Sequence, residues 1–313
     1  MNSVSVAGSR NLAKNIFIMS RPPFHIVGIL PFILGTVLAN RLSGVFNLPV
    51  FLLAFFAVIM VMLVTYYNGE YYDINEDKMS ANLEKNTFSG GSQVIAQGAL
   101  PKKFAKTGSY IALGIAAVLG LLLQFYFRTG VLTLVLGITG IFFGFFYSNP
   151  PLRFVSRGVG EILIGFCYGW LPVAVGFYLQ TQNFNSLANW ISIPVGLTIF
   201  NVILINEFPD YSADKHYSKR NIVVRTGKEK AGIIYVIASV LTWLFFGFSV
   251  YSGAPLLGLY IFIPFFLLSA FTVISMLKKE YLDRKKLERL CGMTLVINIG
   301  VSLAYIIGIA YGL

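Results

Sequence analysis

Apolar runs, each about as long as a bilayer is thick, recur along nearly the whole chain and leave few folds open to it. Nine can be counted, near residues 22–40, 47–68, 104–126, 130–147, 158–180, 188–206, 230–252, 254–277 and 288–311. A helix needs about 20 residues to cross the hydrocarbon core, and inside that core every backbone polar group must be satisfied within the protein. The runs therefore predict an all-α, polytopic membrane protein with nine transmembrane helices in one bundle. Composition excludes a soluble domain. Hydrophobic residues make up 56% of the chain and charged residues 12%, against about 25% charged in ordinary globular proteins.

A net charge of +11 would suit a nucleic-acid partner, but its placement points elsewhere. All 24 basic residues except Arg41 and Arg128 fall in, or at the edges of, the first 21 residues and the loops near 69–103, 148–157, 207–229 and 278–287. Lys85 is one of them, in the first long loop. This one-sided distribution is what the positive-inside rule produces. It predicts a cytoplasmic amino terminus, a carboxy terminus outside and no nucleic-acid partner. Residues 1–20 lack an uninterrupted apolar core followed by a small-residue cleavage site, so they are expected to lie at the cytoplasmic surface rather than act as a cleavable signal. Cys167 and Cys291 sit within apolar runs and read as small core residues. His25 and His216 are too few to build a haem or zinc centre.

Against this background the acids stand out. Of the 13 acidic residues, six form two copies of Glu-x-x-Asp-x-x-x-Asp: Glu70, Asp73 and Asp77, then Glu207, Asp210 and Asp214. Each acid of the second trio lies 137 positions beyond its counterpart. Spacings of three and four put a trio on one helix face. By the charge pattern both trios lie on the cytoplasmic side, after the second and sixth apolar segments, which hints at a duplicated four-helix unit with a ninth helix appended.

One such trio alone reads as a solvated loop. Two with identical spacing on one side point to a cation, because clustered carboxylates repel one another without one. Hard divalent ions, magnesium above all, prefer carboxylate oxygens and commonly bridge them to a phosphate. Arg21, Lys102, Lys103, Lys215, Lys219, Arg220 and Arg225 lie close by in sequence and are suited to phosphate oxygens. Acids, cations and an apolar bundle together fit a lipid diphosphate. Tyr66, Tyr67, Tyr71, Tyr72, Tyr147 and Tyr168 near the same ends offer ring faces for an allylic cation, although membrane aromatics also serve as interface belts and packing. Glu161, at the start of the fifth segment, would cost about 2.5–3.5 kcal/mol at mid-membrane and is expected to pair with Arg153 or Arg157. The basic cluster from Lys278 to Arg289 reads as topology and contact with anionic lipid.

These motifs resemble the UbiA superfamily of intramembrane prenyltransferases. Its first motif reads Asn-Asp-x-x-Asp-x-x-x-Asp; here Gly69 follows Asn68, and Glu70 stands in place of the first Asp. Asn206-Glu207-x-x-Asp210-x-x-x-Asp214 is similar to the second motif. Ser20-Arg21-Pro22, with Pro31 and Gly35, resembles the family's opening helix. The stretch from Ser218 to Gly227 resembles the sequence that follows the second motif. Tyr147-Ser148-Asn149-Pro150-Pro151-Leu152-Arg153, with Arg157-Gly158 and Gly160-Glu161, is similar to the connection between its fourth and fifth helices. The last two stretches look most like the 1,4-dihydroxy-2-naphthoate polyprenyltransferases of menaquinone synthesis.

The resemblance implies a single prenyltransferase domain over residues 1–313, with magnesium as cofactor and an isoprenoid diphosphate and an aromatic acceptor as partners in the lipid bilayer. Glu70, Asp73, Asp77, Glu207, Asp210 and Asp214 are the expected metal ligands, and the four Asp residues among them are expected to be catalytic. Arg21, Asn68, Lys102, Tyr147, Arg153, Asn206, Lys219 and Arg225 are the expected substrate contacts. Ionisation of the donor would leave an allylic cation for an electron-rich ring to attack, with loss of carbon dioxide when the ring is dihydroxynaphthoate. Other acceptors, such as 4-hydroxybenzoate, homogentisate or a glycerol phosphate lipid, stay open. So does a divalent-ion or anion transporter, although no Asp or Glu falls mid-membrane, where coupling sites usually lie.

Overall fold

The computed structural model describes residues 2–83 and 86–312, with side chains from residue 11 onward. Lys85 and the side chain of Arg10 lie outside the described residues. Those described form helices and their connections, without strands. The helices are α1 (Asn2–Met19), α2 (Pro22–Ser43), α3 (Leu48–Tyr72), α4 (Ile74–Leu83), α5 (Lys102–Leu121), α6 (Thr133–Phe146), α7 (Gly160–Gly165), α8 (Leu171–Thr181), α9 (Ser186–His216), α10 (Ile222–Tyr251), α11 (Leu256–Leu277) and α12 (Arg284–Gly312). Five-residue π-turns extend α5 to Tyr126 and join α7 to α8. The second π-turn ends just before Pro172, whose ring nitrogen has no hydrogen to give the preceding turn.

Among the described residues, eight spans are long and apolar enough to cross a membrane: α2, α3, α5 with its extension, α7 joined to α8, α9, α10, α11 and α12. The protein is an integral, multi-pass membrane protein. The remaining apolar segment, expected near 130–147, is helical over only 14 residues as α6. Gly130 turns the chain in at φ 106, and Tyr147 to Pro151 leads it out.

Local signals explain where the helices begin. Pro22 and Pro23 open α2, where a missing N–H costs nothing. Asn47, Asn185 and Asn221 cap α3, α9 and α10 with side-chain oxygens that accept from Val50, Leu187 and Val224 N–H groups. Gly227 has non-helical angles (φ 83, ψ 155) and breaks α10 after its first turn.

Packing between helices relies on small residues, as it does where lipid offers no hydrophobic drive for association. A Cβ on Gly35 of α2 would lie 2.0 Å from the Val173 carbonyl oxygen, and one on Gly176 of α8 would lie 2.2 Å from that of Phe32. The α2 and α8 backbones are therefore in direct contact. One buried cluster, including Leu34, Val173, Phe177, Val195, Phe246 and Tyr305, ties these helices to α9, α10 and α12. Another, built on Phe208, Tyr235, Tyr281 and Leu290, fixes the far ends of α9 and α12. With α4 packed across α9, the polar ends of α3 and α9 come together.

Candidate active site

Both acid trios line one cavity of about 180 Å³, together with Arg21, Lys219, Tyr147 and Asn206. Glu70 lies in the last turn of α3, Asp73 caps that helix and Asp77 belongs to α4. Glu207, Asp210 and Asp214 all lie within α9. The expected helix edges fell short here, since α9 runs ten residues past the predicted edge at 206, to His216. Apolar content ends sooner than the hydrogen-bonded ladder does. In that continuous helix, spacings of three and four set the second trio on one face.

Each carboxylate meets a distinct set of donors. Arg153 donates to Asp73 Oδ1 at 2.8 Å and to Glu76 Oε1 at 2.7 Å, and Ser148 donates to Asp73 Oδ2 at 3.1 Å. The Ser92 N–H reaches Glu70 Oε1 at 2.6 Å. Asp210 accepts from the Gly90 N–H at 3.1 Å and from the Ser80 hydroxyl. Asp214 accepts from Asn221 Nδ2 at 2.7 Å, with Lys219 Nζ 3.5 Å away. Asn221 thus ties the second trio to the cap of α10. Glu207 Oε2 and Asn206 Oδ1 are buried without a partner.

Electrostatics mark the cavity as short of positive charge. Burial pushes the Asp77 carboxyl well above the usual range, and Glu70, Asp73 and Asp210 add to the effect against Lys219. Burial works against the charge on Lys219, but Asp214, Asp73, Asp77 and Asp210 outweigh it and hold its ammonium well above the usual value. Among the described residues, no three His, Cys, Asp or Glu side chains converge as they stand on one cation position.

Several residues anticipated as substrate contacts lie elsewhere. Asn68 donates to the Phe145 carbonyl at 3.2 Å and joins α3 to α6. Lys102 is exposed, its ammonium 5.3 Å from the Tyr71 ring centre. Arg225 is exposed as well and donates to the Arg220 carbonyl at 2.7 Å. Arg153 faces the acids themselves. The anticipated pairing of Glu161 with Arg153 or Arg157 does not form: Arg153 is engaged by Asp73 and Glu76, and Arg157 donates to the Leu152 and Pro151 carbonyls. Glu161 is fully buried and accepts from the Ile222 N–H at the start of α10, where an anion suits the helix dipole.

Arg21, in the left-handed region at φ 53, places its guanidinium 4.7 Å from the Phe24 ring centre and 5.9 Å from that of Tyr66. Behind the acid cavity, between α3, α5, α6 and the α7–α8 span, is an apolar cavity of about 120 Å³. Thr65, Tyr147, Ile164 and Tyr168 line both. An apolar chamber thus abuts an acidic one across two tyrosines.

Residues 28–298 match the model of the UbiA prenyltransferase family. The chain belongs to this family. UbiA relatives named as enzymes include the 1,4-dihydroxy-2-naphthoate octaprenyltransferase of Bacillus subtilis, which is 26% identical over 75% of this chain and 78% of its own. The 2-carboxy-1,4-naphthoquinone phytyltransferase of Synechocystis is 23% identical over 72% of this chain and 70% of its own. Among solved structures, a digeranylgeranylglyceryl phosphate synthase shares the fold with a TM-score of 0.65 at 18% identity, over 96% of this chain and 99% of that one. A UbiA homologue from Archaeoglobus fulgidus, bound to GPP and Mg2+, superposes with a TM-score of 0.60 at 14% identity, over 93% of this chain and 99% of its own. The resemblance drawn from the motifs is borne out, as is the all-helical membrane fold.

The UbiA motifs did not reveal every neighbour of the acids. Ser80 and Glu76 were given no role, nor was the loop carrying Gly90, Gly91 and Ser92, and Ser148 entered only as part of the stretch from Tyr147 to Arg153. A Cβ on Gly91 would lie 2.2 Å from Asp77 Oδ2. The one signal available was the Gly90-Gly91 pair between Ser89 and Ser92, which marks a turn able to bring backbone close to another group.

Proposed function

We propose that the protein transfers a polyprenyl group from an isoprenoid diphosphate to an aromatic acceptor, with magnesium as cofactor, and that the acceptor is 1,4-dihydroxy-2-naphthoate. The observation that carries this reading is the pairing of chambers: six carboxylates with Arg21 and Lys219 in one, an apolar wall in the other, and two tyrosines common to both. Naphthoate-directed relatives support the choice of acceptor.

The donor set suits magnesium. It is all oxygen, Asn206 Oδ1 is buried without a hydrogen bond, and Glu207 Oε2 is buried without a donor beside the Glu161 carboxyl. Asp73, Asp77, Asp210 and Asp214 would hold the metal, with Glu70 and Glu207 assisting, once carboxylates turn from their present donors. When bound, magnesium neutralises the diphosphate and stabilises it as a leaving group.

The chain's own residues account for the rest. Lys219 stays charged among the acids and, with Arg21, presents cations to phosphate oxygens. The apolar wall of the second chamber receives the reacting end of the tail and keeps water from the allylic cation left when the C–O bond breaks. That carbon then lies level with Tyr147 and Tyr168, whose rings are placed to stabilise it; the electron-rich ring of the acceptor forms the new C–C bond and the ring's C–carboxylate bond breaks, releasing carbon dioxide.

Membranes carrying the protein are expected to convert radiolabelled isoprenoid diphosphate to a lipid-soluble product only with magnesium and dihydroxynaphthoate. Asp73→Asn and Asp210→Asn should abolish that product while the protein remains inserted. Undiminished transfer by either variant would sink the mechanism, and a product formed only with 4-hydroxybenzoate or homogentisate would replace the acceptor.

A further inference from the structure

The loop between α4 and α5 crosses the acid cavity, and its backbone meets both trios. The Gly90 N–H donates to Asp210, the Ser92 N–H donates to Glu70, and Gly91 lies against Asp77. Its shape is not one a free loop would keep. Gly90 and Gly91 take φ of 71 and 68, which glycine adopts freely, but Gln93 has φ 65, a region that a residue with a side chain rarely occupies unless its surroundings impose it. Gln93 Nε2 donates to the Asp77 carbonyl at 3.1 Å, and support also reaches the loop from outside the cavity.

That support is on α12. Glu288 Oε1 accepts from the Thr87 N–H at 3.2 Å and also from the Thr87 hydroxyl. Next along the chain, Phe88 packs onto the cluster that fixes the ends of α9 and α12. Its ring tip would be 3.2 Å from a Cβ on Gly292. Glu288 is partly exposed and does not line the cavity. From Glu288 a continuous set of contacts therefore runs through Thr87 and Phe88 to the amides on Glu70 and Asp210.

We infer that Glu288 is a positioning residue for the acid cluster: by anchoring Thr87 it keeps the Gly90 and Ser92 amides on Asp210 and Glu70, and so sets how tightly the cluster holds a divalent cation. The inference rests on the proposed magnesium-dependent reading. The Ser92 amide takes one oxygen of Glu70, and on Asp210 the Gly90 amide takes Oδ2 while the Ser80 hydroxyl takes Oδ1, so the loop sets how both carboxylates are oriented toward a cation. Outer partners of ligating carboxylates orient them in this way, and losing such a partner typically costs about 10–100-fold in metal affinity.

The test uses the full chain in lipid nanodiscs, with manganese and then magnesium as the only added ligands. Cation binding is followed by manganese paramagnetic resonance with magnesium competition, and loop order by hydrogen exchange over residues 86–93. Glu288→Ala is expected to raise half-saturating magnesium about tenfold or more and to speed exchange at Gly90 and Ser92. Glu288→Gln keeps an acceptor oxygen for Thr87 and should behave as the unmodified protein does. Glu280→Ala removes an acid paired with the exposed Lys286 and should change neither readout. Unmodified cation binding and exchange in Glu288→Ala would overturn the inference, and so would a Glu288→Gln variant as impaired as Glu288→Ala. If the unmodified protein binds no manganese, the magnesium reading itself fails and takes this inference with it.

Discussion

Arg153 has a left-handed backbone (φ 39) and directs one guanidinium nitrogen to both Asp73 and Glu76. Those carboxylates are 7% and 5% exposed, so cutting the arginine back leaves two almost buried anions without their cation. A fully buried pair loses about 3–5 kcal/mol when one partner is removed. The Arg153 side chain is 31% exposed, and solvent screening brings the expected loss for Arg153→Ala to about 1–3 kcal/mol. Thermal unfolding of that variant should show the loss without magnesium and recover most of it with magnesium. A deficit that magnesium leaves untouched would argue against a cation at Asp73. At this scale the sequence was legible where a side chain's type carries the chemistry. The six acids announced themselves by spacing, and Lys219 by lying close to them in sequence. It was silent where direction decides. Nothing in the order of residues tells that Arg153 faces Asp73, that Lys102 and Arg225 face away, or that backbone amides at Gly90 and Ser92 meet the acids. An amide is common to every residue but proline.

Among the helices, the crossing of α2 and α8 fixes how Arg21 sits relative to Tyr168, because both elements meet backbone to backbone at Gly35 and Gly176. Gly35→Ala would set a methyl 2.0 Å from a main-chain oxygen, so the helices must part. The expected cost is about 1–3 kcal/mol, as for other overpacked sites, with reduced turnover because Arg21 moves with α2. Gly137→Ala is the matched control, since a Cβ there meets nothing within 4 Å. Melting temperatures of the two variants should separate, with Gly137→Ala at or above the parent, as expected from the better helix propensity of alanine. Helix positions were readable because hydropathy reports which residues face lipid. Helix ends were not. The last turns of α3 and α9 are polar yet still hydrogen-bonded, and five of the six acids lie on them or cap them, with Asp77 on α4. Nor did hydropathy show that α6 would be short, since its apolar run continues into a turn.

For the molecule as a whole, the acid cavity opens at one end of the bundle, and the distribution of lysine and arginine predicts that this end faces the cytoplasm. Gln97→Cys and Ser43→Cys place exposed thiols in the α4–α5 connection and at the last residue of α2. An impermeant maleimide is expected to label the first only in inverted vesicles and the second only in right-side-out vesicles. Cys291 is buried and Cys167 lies within the α7–α8 span, so background should be low. The reverse pattern would invert the topology. Polarity changes only at Thr65, Tyr147, Ile164 and Tyr168, so an amphiphile has a single way to lie across that seam. On the proposed chemistry, the protein then measures its substrate from the head group, and donors of any tail length present the same carbon to the acceptor. The diphosphate and the prenylated ring also have no common way out: the small anion is drawn toward water and the enlarged ring compound toward lipid, while the ring carboxylate departs as carbon dioxide. Their parting would make each turnover hard to reverse without any moving part to enforce it.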